Sequence, residues 1–187
     1  MIRVIRSCLD MRIIAGTHKG RTLKTPRWEG LRPTSDKLRE TLFNILAPRI
    51  DGARVLDVFS GTGAVALEAL SRGAAAATCI DSDRRAAKLI EENATLCGEL
   101  NRCAIIRDVV ERALERPIPG GPFDIIVLDP PYEYAGLDAA VQQAGNQRAA
   151  GGIVVLEHAT RVTPPAAAGL ALTRTVKSGD SALSFYS

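Results

Sequence analysis

From residue 53 onward the chain alternates short apolar runs with amphipathic helical stretches, an order that few folds accommodate. The runs Arg54–Val58, Ala76–Ile80, Cys103–Arg107, Asp124–Leu128 and Ile153–Glu157 read as strands. Stretches near 63–72, 83–98, 109–115 and 137–147 carry the helical period between them. Strand–helix alternation with short connections demands a mainly parallel sheet with helices on both faces. Continuous apolar runs such as Ile125-Ile-Val-Leu128 suit strands buried on both sides. Two late runs, Ala171–Val176 and Ala182–Tyr186, flank Ser178-Gly-Asp180 and predict an antiparallel hairpin at one edge. The expected class is α/β: a Rossmann-like, mainly parallel seven-stranded sheet over residues 51–187, preceded by a small basic extension over residues 1–50.

That extension follows another pattern. Met11–Ala15 and Arg21–Lys24 read as short strands joined by the turn Gly16-Thr-His-Lys-Gly20. Leu31-Arg-Pro-Thr-Ser-Asp36 then leads into a helix running to about Ala47, with Thr34 as its N-cap. Leu38, Leu42, Ile45 and Leu46 give the helix one apolar face, and Lys37 and Arg39 lie off it as a basic edge. Residues 1–50 hold eleven Lys and Arg against four acids, whereas the remainder holds thirteen against seventeen. This asymmetry matches either a polyanionic partner docking on the N-terminal segment or a solvated basic face. Met11 is a plausible start, which would make residues 1–10 an upstream extension.

Composition narrows the class. No apolar run approaches the ~20 residues of a membrane span, and the start MIRVIRSCLD lacks the apolar core of a signal peptide. A cytoplasmic monomer is the default expectation. The four cysteines form no C-x-x-C pair, and with only two histidines beside them neither a metal site nor a disulfide is expected. Cys79 and Cys103 lie in apolar runs and read as small buried hydrophobes.

The first chemical signal is Val55-Leu-Asp-Val-Phe-Ser-Gly-Thr-Gly-Ala-Val-Ala-Leu-Glu68: a strand ending near Asp57, a glycine turn, then a helix. Gly61 and Gly63 let a ligand approach the backbone, at the strand end where open α/β sheets bind ligands. Gly61-Thr-Gly-Ala-Val-Ala66 also fits the dinucleotide fingerprint, with Asp81 twenty residues after Gly61. Asp57 discriminates between the two. A carboxylate repels a pyrophosphate at the turn and attracts a cationic sulfonium ligand. D-x-F-x-G-x-G therefore looks like the S-adenosylmethionine loop of class I methyltransferases, with Phe59 and Ser60 among its contacts. Asp81, followed by Ser82, is placed to accept from two ribose hydroxyls. Asp108 and Val109 close the third strand, where Asp108 serves either the adenine amine or the cap of the next helix.

The second signal is Phe123-Asp-Ile-Ile-Val-Leu-Asp-Pro-Pro-Tyr132, an apolar strand running into Asp129-Pro130-Pro131-Tyr132. Two prolines fix the backbone and hold the Pro130 carbonyl beside the Asp129 carboxylate. The exocyclic amine of a nucleobase is a poor nucleophile because its lone pair is delocalised into the ring. Two acceptors for its N–H groups favour the pyramidal amine and aim its lone pair at a methyl donor. Tyr132 can stack on the base, and a paired base would first have to flip out.

Together these residues resemble the RsmD family of methyltransferases, which act on the N2 amine of a guanine in bacterial 16S ribosomal RNA. The resemblance spans nearly everything from Met11. It rests on Met11-Arg-Ile-Ile-Ala-Gly16, Lys19-Gly-Arg-Thr-Leu23, Leu31-Arg-Pro-Thr-Ser-Asp-Lys-Leu-Arg-Glu-Thr-Leu-Phe-Asn44, Leu56 to Ala64, Leu67-Glu-Ala-Leu-Ser-Arg-Gly73 and Asp129 to Tyr132. It implies S-adenosylmethionine at Asp57, Gly61, Gly63, Asp81 and Asp108, and amine recognition by Asp129 to Tyr132. It also implies contact with 16S rRNA, in an assembling small ribosomal subunit, through His18, Lys19, Arg21, Arg32 and Arg39. Arg39 and Asn44 serve alternatively as supports of the active-site wall. Rival readings are an adenine-N6 or cytosine-N4 DNA methyltransferase, which shares D-P-P-Y, and a catalytically silent RNA-binding assembly protein.

Overall fold

A computed structural model of the chain describes residues 11–26, 28, 36–132 and 134–187. Its elements are α1 (Asp36–Ile50), β1 (Arg54–Val58), α2 (Ala64–Ser71), β2 (Ala76–Asp81), α3 (Arg84–Cys97), β3 (Cys103–Arg107), α4 (Val110–Leu114), β4 (Phe123–Leu128), α5 (Leu137–Asn146), β5 (Arg148–Ala159), β6 (Leu172–Ser178) and β7 (Ser181–Tyr186). The seven strands form one sheet in the order β3-β2-β1-β4-β5-β7-β6. The first five are parallel, and β7 pairs antiparallel with both β5 and β6. From residue 53 onward the expected strands and helices all form, within a residue or two at most ends. β5 is the exception: it begins at Arg148, because a register shift lets the strand reach back through Gly151 and Gly152 to pair with Phe123.

Side-chain alternation splits the interior into two layers. Val55, Cys79, Ile125, Val127, Val155 and Phe185 face α1, α2 and α3, whereas Leu56, Val58, Ile80, Ile126, Leu128 and Leu156 face α4 and α5. The Ile125–Leu128 run thus feeds both cores, as its unbroken apolar character requires. Every residue of α2 is buried, so this helix is the hub of the first layer. None of the helices among the described residues is long and apolar enough to cross a membrane.

The N-terminal segment joins the same core: Met11, Ile13 and Leu23 pack with Leu38, Leu42, Leu46, Val65 and Leu67. Its expected hairpin is reduced to one antiparallel bridge, Arg12↔Thr22, with cross-bonds from Ile13 to Arg21 and from Leu23 to Met11. The reason lies in its turn, which is fastened to α2 rather than to a second strand. Thr17 N–H donates to the Ser71 carbonyl at 2.8 Å, and His18 N–H donates to the Ser71 hydroxyl at 3.0 Å. Gly16 makes this possible: at φ +83° a Cβ there would lie 1.8 Å from the Ser71 carbonyl oxygen.

One carboxylate closes the arrangement. Glu68, fully buried on α2, accepts from Ile14 N–H at 2.7 Å, Ala15 N–H at 3.0 Å and Arg72 Nε at 2.7 Å. Arg39 Nε stands 4.0 Å from its second oxygen. This corrects the expectation for Arg39, which is no part of an exposed basic edge. Arg39 is wholly buried beneath α1 and donates to the Arg12 carbonyl at 2.6 Å and to Asp36 at 2.9 Å. An always-charged, forked donor suits a buried junction of carbonyls and carboxylates, and in that position it cannot meet RNA. Arg32 and Thr34 lie outside the described residues, as do residues 1–10.

Removing Glu68 would leave the Ile14 and Ala15 N–H groups and Arg72 Nε without their acceptor and take a neighbouring carboxylate from buried Arg39. Glu68→Ala is expected to cost about 3–5 kcal/mol of stability in denaturant unfolding, and a loss below ~1 kcal/mol would show the clasp to be ornamental.

Candidate active site

The strand order reverses between β1 and β4: β2 and β3 extend the sheet on one side, β4 and β5 on the other. Open α/β sheets bind their ligands at the carboxyl ends of strands beside such a switch point. The two motifs found in the sequence end on these adjacent strands. Val58 pairs with Leu128, and Asp129 N–H donates to the Val58 carbonyl at 3.3 Å.

On the β1 side, Asp57 is buried beneath the first turn of α2 and accepts from Ala66 N–H at 3.2 Å. Gly63, the N-cap of that helix, has no side chain to cap it, so the strand acid takes the role. Burial pushes the Asp57 carboxyl from its ordinary 3.8 up to about 8, and the charges of Asp129 and Asp81 push the same way. Asp57, Asp81 and Asp129 lie at the carboxyl ends of β1, β2 and β4, around the opening expected at the switch point. The turn itself is tightly wound: Ser60 Oγ donates to the Asp57 carbonyl at 2.5 Å, and Ser60 N–H to the Ile80 carbonyl at 3.0 Å. Phe59 sits at φ +63°, a conformation costly for a bulky side chain and held only where the surroundings over-determine it. Gly63 combines φ +75° with close approach of α3, since a Cβ would lie 3.0 Å from Ile90.

On the β2 side, Asp81 accepts from Gly61 N–H and Asp83 N–H, both at 2.9 Å. A carboxylate offers about four lone-pair directions, so both oxygens keep room for ribose hydroxyls. Burial raises the Asp81 pKa while these two backbone bonds oppose the rise. Ser82 is exposed beside it. Asp83 is the N-cap of α3 and accepts from Arg85 N–H at 2.7 Å. Arg85 also stacks on Trp28, with its guanidinium carbon 4.9 Å from the ring centroid.

At the end of β3, Asp108 is engaged more fully than its position suggested. It accepts from Val109 N–H at 2.8 Å, Arg112 Nε at 2.6 Å and Arg116 at 3.1 Å, and the Arg112 bond holds its pKa below the usual range. Val109, not Asp108, is the N-cap of α4, and its side chain is exposed. The Asp108 carboxylate therefore orients two arginines at the lip and keeps only part of its capacity for a ligand.

On the β4 side, Asp129 and Pro130 are half-buried at the strand end, and Pro131 and Tyr132 are exposed. The Tyr132 hydroxyl lies 3.3 Å from Ser181 Oγ of the edge hairpin. Tyr134, which no sequence motif singled out, donates from its hydroxyl to Glu111 at 2.5 Å and packs its ring edge-on against Phe59. An aromatic at this spacing after D-P-P-Y was the available signal, but the stretch 133–150 has no distinctive pattern to flag it.

The N-terminal candidates lie along α3 rather than at the strand ends. His18 is half-buried and pairs with Glu99 at 2.6 Å, where Arg102 also binds. Arg21 donates to the Leu96 carbonyl and stays exposed, as does Lys19. Asn93 ties this segment to the glycine turn: its amide donates to the Lys24 carbonyl at 3.1 Å and the Thr62 carbonyl at 3.0 Å.

The opening suits a ligand that is cationic, bears vicinal hydroxyls and approaches glycine backbone. Asp81 and Asp129 place negative charge where a pyrophosphate would sit, and Asp57 beneath them ionises most readily beside a cation. Among the described residues no cluster of three or more His, Cys, Asp or Glu is placed to hold a metal, and Cys79, Cys97 and Cys103 are free and buried.

Comparison with known proteins agrees with this geometry. A family described as Conserved hypothetical protein 95 matches residues 11–187. The Bacillus subtilis protein YlbH is 34% identical over 180 residues, covering 94% of this chain and 98% of that one. Ribosomal RNA small subunit methyltransferase D of Escherichia coli (strain K12) is 40% identical over 132 residues, 71% of this chain but only 65% of the relative. The solved structure of Escherichia coli yhhF superposes with a TM-score of 0.80 at 35% identity, covering 94% of this chain and 96% of that chain. The doubly wound sheet is that of class I methyltransferases, and the chain belongs to the Conserved hypothetical protein 95 family, which is the RsmD family its motifs resemble.

Proposed function

We propose that this chain transfers a methyl group from S-adenosylmethionine to the exocyclic N2 amine of a guanine in 16S rRNA, acting as a cytoplasmic monomer on an assembling small subunit. The observation that carries the reading is the meeting of the Asp57–Gly63 turn and Asp129–Tyr132 at the ends of two hydrogen-bonded strands. Support for the ribosomal substrate comes from the relative named as a small-subunit rRNA methyltransferase.

The residues divide the work. Asp57 lies beneath the turn and favours positive charge above it, Gly61 and Gly63 admit the ligand to the backbone, and Asp81 takes the ribose hydroxyls. Phe59, Ser60, Ser82, Asp108 and Val109 line the remainder of that site. S-adenosylmethionine, when bound, supplies an electrophilic methyl on a cationic sulfur. Asp129 and the Pro130 carbonyl accept the two amine N–H groups, Pro131 stiffens the turn, and Tyr132 stacks on the base, a contact of ~1–3 kcal/mol. Aligning acceptors and donor in advance lowers the barrier mainly through orientation and electrostatics. Residues 1–50 act as the RNA-contacting part, through Lys19 and Arg21 above all, and residues 51–187 as the catalytic domain.

The direct experiment incubates the protein with labelled S-adenosylmethionine and small ribosomal particles lacking their own modification, followed by nucleoside analysis. N2-methylguanosine at one site is the expected product. Label in methyladenosine or only in DNA would overturn the substrate, and bound RNA without label would favour a silent assembly role. Asp129→Ala is expected to lower kcat by on the order of 10²–10³ while cofactor affinity holds, whereas Asp81→Ala should weaken cofactor binding. Equal loss of cofactor affinity in both variants would undo this division.

The raised Asp57 pKa gives a pH signature. Below about 8 the empty site holds this carboxyl protonated, and a cationic ligand favours its ionised form. Cofactor binding at pH 7 should release a proton, and affinity should climb with pH up to about 8 and then level. The sign for folding is the reverse. A folded pKa above the unfolded value makes a contribution that is fully present below about 4 and is lost as pH rises through about 8. Calorimetry in buffers of different ionisation enthalpy reads the proton directly, and its persistence in Asp57→Asn would assign it elsewhere.

Neutralising Lys19 and Arg21 should weaken RNA binding and flatten its salt dependence by ~0.7–0.9 in log–log slope for each phosphate no longer neutralised. An unaltered slope would take both residues out of the RNA footprint.

A further inference from the structure

Tyr134 touches three loops that the proposed reaction must hold in register. Its backbone N–H donates to the Pro131 carbonyl at 3.0 Å and closes the turn that carries Asp129 to Tyr132. Its hydroxyl donates to Glu111 Oε1 at 2.5 Å, in the first turn of α4 just beyond Asp108 and Val109. Its ring meets Phe59 edge-to-face, with centroids 4.9 Å apart and planes at 71°. Phe59 is the residue that holds φ +63° inside the glycine turn. One residue thus links the loops after β1 and β4 to the first turn of α4.

These interactions are chemically matched. Burial and the Glu111 carboxylate both raise the Tyr134 pKa, so the phenol stays neutral and remains a donor across the working pH range. The same bond lowers the Glu111 pKa and keeps that carboxylate an acceptor. The edge-to-face geometry sets the positive rim of one ring against the negative face of the other, a preferred aromatic arrangement. The next residues leave room for it: at Gly136 a Cβ would lie 2.9 Å from the Tyr134 hydroxyl. A larger residue at 136 would push the phenol off Glu111.

We propose that Tyr134 is a positioning residue that ties the Asp129–Tyr132 turn to the Phe59 loop and the start of α4, so that filling the cofactor site favours capture of the target base. The inference rests on the methyltransferase reading above and deepens it by assigning the link between the two subsites. Strain at Phe59 supplies the physical means. A residue in the left-handed region persists only while its surroundings hold it, and Tyr134 is one of those surroundings. A ligand seated on the glycine turn stiffens Phe59, Phe59 fixes the Tyr134 ring, and Tyr134 fixes the turn through Pro131. Coupling of this kind is reciprocal, so base capture should tighten cofactor binding by the same factor.

The test uses the full chain with S-adenosylhomocysteine and small ribosomal particles lacking the modification. In the parent protein, saturating S-adenosylhomocysteine should tighten particle binding by about five- to tenfold. Tyr134→Ala should bring that factor close to one while each ligand alone binds within about threefold of the parent. It should also lower kcat by about tenfold or more with KM for the cofactor nearly unchanged. Tyr134→Phe keeps the ring on Phe59 and should restore most of the coupling. Gly136→Ala approaches the same phenol from outside and should fall between the two, which keeps the test open if Tyr134→Ala folds poorly. Full coupling and parental kcat in both Tyr134→Ala and Gly136→Ala would overturn the proposal. A parent that binds S-adenosylhomocysteine and methylates particles without any coupling would overturn it too, leaving the methyltransferase reading intact. A parent that neither binds S-adenosylhomocysteine nor transfers methyl would overturn that reading first and this inference with it.

Discussion

Glu68 is a carboxylate with no exposure to water, and the site depends on how it is satisfied. Bare burial of such a charge costs several kcal/mol, so the fold surrounds it with Ile14 N–H, Ala15 N–H, Arg72 and the neighbouring Arg39. The hydrogen-bond donors come from the N-terminal segment and α2 itself, and α1 adds the Arg39 charge 4.0 Å away. Satisfying one acid therefore fixes three elements against each other. α2 is also the helix whose N-terminus roofs Asp57 and whose start, Gly63, ends the glycine turn. The position of the turn is inherited from the far end of the helix that follows it.

The active-site crevice stores the opposite kind of energy. Burial pushes the Asp57 carboxyl up, with the charges of Asp129 and Asp81 adding to it, and Phe59 holds a backbone angle that most residues avoid. Neither would persist on a loose loop. Both are held from outside. The Thr62 hydroxyl donates to Met11 Sδ at 3.2 Å, the Thr62 carbonyl accepts from Asn93, and Ser60 is bonded to β2. The stable clasp at Glu68 and the unfavourable charges at Asp57 are linked, because the rigidity of the first keeps the second ready for a cation.

Much of this was legible in the sequence. β1 and β3 begin and end where the apolar runs were read, because each run is bounded by the turns that follow it. Asp57, Asp81 and Asp129 stand in or just after the last residues of β1, β2 and β4, and the topology brings those ends together. Arg39 shows why the rest was hidden. Helical periodicity put it off the apolar stripe, and charge suggested water, yet its partners Arg12, Asp36 and Glu68 lie partly outside its own helix. Local pattern cannot see a counter-charge that is distant along the chain and arrives only with folding. Glu68 was hidden for the same reason, inside a helix that reads as amphipathic until all eight residues prove buried. Asp108 carried two readings, ligand or cap, and the arginines at 112 and 116 that now occupy it belong to neither.

On the proposed function, the buried clasp also bears on how RNA contact and catalysis would be joined. The segment bearing Lys19 and Arg21 shares its apolar core with the sheet, and its turn is bonded to α2 through Ala15, Thr17 and His18. A basic arm on a flexible linker would deliver RNA anywhere within its reach. An arm fastened at Ser71 and Asn93 presents its charges at fixed distance from the glycine turn, because Asn93 holds Lys24 and Thr62 with one amide. Phosphate contacts carry no base information, but they set register and orientation. In a rigid frame, register at the phosphates becomes register at Asp129. Under that reading, the specificity that two acceptors and one ring at Asp129 to Tyr132 cannot supply alone is shared with the charges of Lys19 and Arg21 beside α3.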